Sequence, residues 1–285
     1  MGFASICLRM QLIVYGIILA NFNIMKLLSF FILFIASCSI KAQPATISLI
    51  EKTPFNLQEF VGVDKFNNFY GITNNTFFKL EGAKKYQFTD FLLGELTSVD
   101  LLNPLKITLF YKNMNTVVIL DNRLNEIYRI NFTNITNFRN VSFASTGKDK
   151  SIWIYNTDIQ QLELFNYNSK KVISHTQPIN SEIIQLKSNY NFCWLLQNKK
   201  LELYNSYGSF IKAIQVPENF EFVENNNQII GRNNNKWFVL RKDKPALEPL
   251  TISENDVKDF YLNNENLYLY IDNFIYRYQL NLSNE

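Results

Sequence analysis

The stretch Thr97–Phe132, TSVDLLNPLKITLFYKNMNTVVILDNRLNEIYRINF, decides the fold. Four short apolar runs, Ser98–Leu102, Lys106–Tyr111, Thr116–Leu120 and Glu126–Phe132, are separated by turn signals at Asn103–Pro104, Lys112–Asn115 and Asp121–Asn125. Runs of about 5–7 residues rich in Val, Ile, Leu, Tyr and Phe, bounded by Asn, Asp and Pro, read as strands. Turns this short cannot hold the crossover that parallel neighbours need. The stretch is therefore an antiparallel meander of four strands.

The same unit recurs outward in both directions. First strands begin near Phe60, Val99, Val141, Ile184, Phe222 and Phe260, at intervals of 39, 42, 43, 38 and 38 residues. Such a period matches a four-stranded propeller blade of about 40–50 residues. Unit one reads EFVGVD, NFYGIT, TFFKLE, KYQFTDF, and unit four IIQLKS, NFCWLLQ, KLELYNS, SFIKAIQV. Unit six, KDFYLN, NLYLYID, FIYRYQLNL, lacks a fourth strand. Ala45–Glu51, ATISLIE, precedes unit one and belongs to no unit. Pairing it with the end of unit six closes the ring and hides two sheet edges that would otherwise invite aggregation. The expectation is an all-β, six-bladed propeller over residues 43–285, its last blade completed by the N-terminal strand. A seventh blade would need about 40 residues more than the chain provides.

The third strand, polar turn and fourth strand in Leu201–Ile214, LELYNSYGSFIKAI, and Val117–Ile130, VVILDNRLNEIYRI, resemble the NHL and YVTN-type propeller repeats. The resemblance spans residues 45–282 and implies a propeller. The chain departs from those families in lacking a regular turn glycine. Asn takes its place, because Asn tolerates left-handed backbone better than other non-glycine residues. The runs Asn225–Asn227 and Asn233–Asn235 therefore read as turns.

Upstream of the repeats the composition changes. Residues 1–42 hold no acidic residue, and their charges are Arg9, Lys26 and Lys41 alone. Met25-Lys26 followed by LLSFFILFIAS reads as a signal peptide over residues 25–42, with an apolar run too short to span a membrane. Met25 is then the true start, and residues 1–24 are upstream sequence joined by a start-site error; the alternative is an anchor helix. Two cleavage sites compete. Ile35-Ala36-Ser37-Cys38 resembles a bacterial lipobox, with Cys38 acylated, whereas Ile40-Lys41-Ala42 before Gln43 resembles an ordinary signal-peptidase site. The protein is expected to be exported, to the periplasm or the outer membrane, meeting a membrane only through a lipid anchor.

Beyond the leader the charges balance. All 25 acidic residues lie there, against the 28 basic ones less the three of the leader. Zero net charge with signs interspersed excludes the basic stripe that a nucleic-acid partner needs. Cys7 and Cys38 fall in the leader, so Cys193 stands alone, with no partner for a disulfide or a zinc site. Flanked by Phe192 and Trp194, it reads as an inert core thiol. His175, the only histidine, lies in an outer strand. No triad, HExxH, Walker loop or GxSxG is present, so the set leans away from an enzyme. Trp153, Trp194, Trp237 and the many Phe and Tyr lie inside strands, where packing between radiating sheets needs bulk.

One constellation survives repeat alignment. Glu59, Asp100, Ser142, Gln185, Glu221 and Asp259 stand at the polar position opening each innermost strand, each followed by an apolar residue. In a closed ring these six surround one mouth of the channel. Four convergent carboxylates would repel unless solvated, protonated or neutralised, and oxygen-only ligands suit Ca²⁺ or Mg²⁺. The competing reading is a wet, polar mouth. No other cofactor is expected. Rigid scaffolds presenting loops suit docking, so the expected function is a non-catalytic module that binds an envelope protein or protein complex. The alternative is a carbohydrate-binding or carbohydrate-cleaving propeller, using Glu221 with Asp259 beside an exposed aromatic.

Overall fold

A computed structural model describes residues 45–242 and 244–281. The leader, Cys38 and both cleavage sites lie outside the described residues. Strand β1, Thr46–Pro54, is followed by six runs of strands. Blade one holds β2 (Glu59–Val63), β3 (Phe69–Thr73), β4 (Thr76–Glu81) and β5 (Lys84–Phe88). Blade two holds β6 (Ser98–Asp100), β7 (Ile107–Tyr111), β8 (Thr116–Leu120) and β9 (Glu126–Asn131). Blade three holds β10 (Val141–Thr146), β11 (Ser151–Asn156), β12 (Gln161–Asn166) and β13 (Lys171–His175). Blade four holds β14 (Gln185–Ser188), β15 (Phe192–Gln197), β16 (Lys200–Asn205) and β17 (Phe210–Gln215). Blade five holds β18 (Glu221–Asn225), β19 (Gln228–Asn233), β20 (Lys236–Leu240) and β21 (Glu248–Leu250). Blade six holds β22 (Asp259–Asn263), β23 (Asn266–Ile271) and β24 (Phe274–Asn281).

Every blade is an antiparallel sheet of four strands, and the sixth has the order β1-β24-β23-β22. The N-terminal strand thus completes the last blade, as its sequence predicts. It extends three residues beyond Glu51, pairing Lys52, Thr53 and Pro54 with Tyr276, Ile275 and Phe274. Blade five ends in a short strand containing Pro249. There, on the outermost strand, its missing N–H leaves no ladder bond unmade.

The six apolar clusters lie between consecutive blades. In β7 and β8, Ile107, Leu109, Val118 and Leu120 face blade one, while Phe110, Val117 and Ile119 face blade three. In β15, Cys193 and Leu195 face blade three, while Trp194 and Leu196 face blade five. This is the period-2 alternation of any strand. Both faces are buried, so the sequence reads as an unbroken apolar run. Outermost strands have one wet face, and β13 alternates accordingly.

The turns use Asn as anticipated. Asn74–Asn75, Asn226–Asn227 and Asp272–Asn273 have φ of 46–65° at both positions, the conformation that two-residue hairpin loops require. The two stretches resembling family repeats share one five-residue turn. Asp121 Oδ1 accepts from the N–H groups of Arg123 and Asn125, and Asn205 Oδ1 accepts from those of Tyr207 and Ser209. The fourth position is left-handed in both: Gly208 at φ 79° and Leu124 at φ 62°. Leucine costs about 1–2 kcal/mol there. Burial of its side chain between blades one and two offsets that cost, so the turn dispenses with glycine.

Candidate functional site

The inner strands stand side by side round the axis and open into a vestibule with space of about 360 Å³. Gln185, Glu221 and Asp259 line it. Gln185 acts as a peptide-like clip to the next blade: its Nε2 donates to Phe222 O at 2.8 Å and its Oε1 accepts from Phe222 N at 3.2 Å. Asp259 makes half of the same clip from blade six to blade one, accepting from Phe60 N at 3.3 Å. Burial pushes the Asp259 carboxyl above its usual range, against the opposing pull of the Phe60 N–H and Arg232. Glu59, at the rim, is also raised, by desolvation and then by Asp259 and Glu95. Glu221 pairs with Arg232 at 2.9 Å.

Two of the six residues aligned in the sequence differ from these four in their setting. Ser142 sits at a bulge between Val141 and Phe143, with its buried hydroxyl unbonded. Asp100 lies deeper in the channel. Glu59, Gln185, Glu221 and Asp259 each open their strands, but Asp100 ends β6, which begins at Ser98 opposite Phe110. The displacement is two residues, which keeps the side chain on the same face but moves it inward. The four carboxylates therefore do not converge at one mouth. Among the described residues no group of three or more His, Cys, Asp or Glu side chains is placed to hold a metal ion. Asp259 and Glu221, the pair considered for carbohydrate cleavage, are engaged by Phe60 N and Arg232.

Below the vestibule is a second chamber, with space of about 80 Å³. Asp100 forms one wall, accepting from Leu102 N at 2.8 Å, Thr146 N at 2.7 Å and the Ser145 hydroxyl. Ser188 Oγ lies 2.7 Å from Ser145 Oγ and 2.8 Å from Thr146 O. This network ties blades two, three and four together. Opposite, Glu224 Oε1 accepts from Asn189 Nδ2 at 3.0 Å and Asn227 N at 2.7 Å. Burial raises the Glu224 carboxyl despite those bonds.

Val61, Lys187, Val223 and Tyr261 line both chambers and form the waist between them. Each stands two residues beyond a mouth residue, Val61 at a bulge in β2 and the others on the same strand face. Lys187 is partly exposed to the channel, and desolvation lowers its ammonium below the usual lysine range, against the pull of Asp100 and Glu224. Tyr261 lies across Gly62, where an added Cβ would come within 2.6 Å of the ring; burial raises its hydroxyl. Sequence reasoning stopped at the mouth and missed this waist. The signal was there in the alternation, since Lys187 and Tyr261 stand where blades one and five have valine.

The remaining reactive side chains are quiet. His175 is exposed on the outermost strand of blade three, its Nδ1 3.0 Å from Thr176 O. Cys193 is fully buried, and burial pushes its thiol well up. Trp153, Trp194 and Trp237 are core residues.

No protein-family model matches this chain, and no curated protein matches its sequence. Solved structures do match. Selenomethionine-substituted virginiamycin B lyase from Staphylococcus aureus is 10% identical, with a TM-score of 0.58 over 82% of this chain and 99% of that one. BamB from Moraxella catarrhalis is 7% identical, with a TM-score of 0.51 over 82% and 100%. A chain of the mitotic checkpoint complex is 10% identical, with a TM-score of 0.50 over 85% and 97%. At such identities the likeness shows the propeller fold alone.

Proposed function

We propose that this chain is an exported, non-catalytic docking propeller that holds another protein or protein complex in a bacterial cell envelope. The observation that carries the reading is the tip of the loop joining blades one and two. Phe91 and Leu92 are 83% and 85% exposed there, in a loop that is pinned at both sides. Asp90 pairs with Arg129 at 2.7 Å, and Asn75 holds Gly94 O and Leu96 N. A fixed loop that offers two large apolar side chains to water is built for a partner. Met114, Phe138 and Ile159 are also exposed, on loops at the same end of the ring. A chain of the mitotic checkpoint complex shares this architecture, so the fold serves in a protein assembly there. The leader sequence supports export, with either acylated Cys38 or free Gln43 as the mature N-terminus.

The test is cross-linking in membranes of the source cells, comparing the native chain with Phe91→Asp/Leu92→Asp. The native chain should recover a defined partner and the variant should lose it while keeping its melting temperature. A native chain that recovers nothing above background refutes the reading. Mass spectrometry of the mature N-terminus reads the leader directly.

A further inference from the structure

We propose that the channel waist binds a small carboxylate-bearing molecule through the Lys187 ammonium. This goes beyond the docking reading and does not depend on it. Lys187 makes no hydrogen bond and no ion pair with any described residue, and it lines both chambers. An ammonium without a protein partner keeps its three donors free for a ligand in the channel. The carboxylates nearest in effect, Asp100 and Glu224, are bonded to backbone N–H groups, Ser145 and Asn189. They attract the ammonium but do not cap it.

The surroundings define the ligand. Val61, Val223 and the Tyr261 ring stand beside Lys187 at the waist, and away from bulk water the pairing of an ammonium with an anion strengthens. The chamber below has space of about 80 Å³, enough for several waters or a group the size of acetate. The vestibule above admits a larger remainder. Glu59, Glu221 and Asp259 at the rim, with Asp100 and Glu224 below, disfavour a doubly charged anion such as phosphate. A single carboxylate, able to accept from the ammonium through one oxygen and from the Tyr261 hydroxyl through the other, fits this balance. That hydroxyl makes no hydrogen bond with a described residue.

The experiment measures melting of the purified protein in sodium acetate against sodium chloride at matched ionic strength and pH, with sodium phosphate as a third arm. Acetate at ten times its dissociation constant should raise the melting temperature by about 3–6 °C. Lys187→Met should abolish that rise, and should itself melt at or above the native protein in chloride, because it removes an unpaired ammonium. No acetate-specific rise up to 100 mM, or an equal rise in Lys187→Met, overturns the proposal. A rise with phosphate and none with acetate overturns the carboxylate assignment. If Lys187→Met does not fold, reductive methylation of the native protein decides, read by peptide mass spectrometry. Acetate should slow labelling of Lys187 several-fold relative to chloride; equal rates overturn the proposal.

Discussion

Removing residues 45–54 should open the ring. Strand β1 faces β24 at eight positions, from Thr46 opposite Asn281 to Pro54 opposite Phe274, with a bulge between Leu49 and Glu51. Alternate pairs exchange two bonds each, so eight facing positions hold about seven or eight, Pro54 having no N–H to give. At about 0.5–1.5 kcal/mol net per backbone hydrogen bond, these contribute roughly 4–10 kcal/mol. Lys52 adds contacts over the Phe274 and Tyr276 rings, at 4.1 and 4.8 Å from their centroids, worth about 0.5–1 kcal/mol each at an exposed site. The Glu51–Arg277 pair at 3.3 Å adds little, since the Glu51 side chain is 54% exposed. Whole domains are stable by about 5–15 kcal/mol, so the loss rivals the total. The truncated chain should be unfolded or aggregated at 25 °C, because β24 is left with an open edge. Circular dichroism melts and size-exclusion chromatography read this. A synthetic peptide of residues 45–54 added in excess should restore folding. A truncated chain that stays monodisperse, melts within a few degrees of the intact one and ignores the peptide would refute the reasoning.

Other perturbations test the waist, the seams and the core. Gly62→Ala, at φ 156° and with a methyl 2.6–2.8 Å from the Tyr261 ring, should cost about 1–3 kcal/mol by urea titration; in the background of Tyr261→Ala the same substitution should cost less, with the backbone part remaining, and an equal cost in both backgrounds would mean the ring is not the obstacle. Arg139 and Glu163 form an ion pair at 2.7 Å with side chains only 10% and 5% exposed. Arg139→Met should therefore cost about 3–5 kcal/mol, and adding Glu163→Gln should recover most of it in the same titration. Asp259 has a raised folded-state pKa. It contributes stability that is full below its unfolded pKa and lost as pH rises through the folded value. Asp259→Asn, whose carbonyl can still accept from Phe60 N, should melt above the native protein at pH 7, with the gap closing towards pH 4. A native protein that melts higher at pH 7 contradicts this.

The blades were legible because each middle strand is buried on both faces. Ile107–Tyr111 and Thr116–Leu120 could only be apolar throughout, and the Asn and Asp turns bracket them. The closing strand was legible as an apolar segment left over by the repeat count. Its last residues, Lys52–Pro54, were not, because they are polar and lie on an outermost strand. Asp100 was misplaced for a definite reason. A polar residue followed by an apolar one recurs at several depths of a strand, and only the pairing of Ser98 with Phe110 sets the depth. The waist was out of reach of any one repeat. It consists of Val61, Lys187, Val223 and Tyr261 from four blades, brought together by ring closure. The Gln185 and Asp259 clips likewise depend on the backbone of a neighbouring blade.

Because the apolar clusters lie between blades, no blade has finished its own core when it leaves the ribosome. Each presents one uncovered apolar face until its successor follows, some 40 residues later, which at about 5–20 residues per second takes roughly 2–8 s. One face waits far longer. Phe55, Phe60 and Val63 of the first blade are covered by Tyr268, Tyr270 and Ile275 of the last. Phe60 and Tyr268 are 208 positions apart in the chain, a delay on the order of 10–40 s at the same rate. Holdase protection during synthesis would therefore be needed most at this seam. Substitutions there that leave the finished ring stable can still lower yield in cells, by lengthening the time for which those rings stand open to other chains.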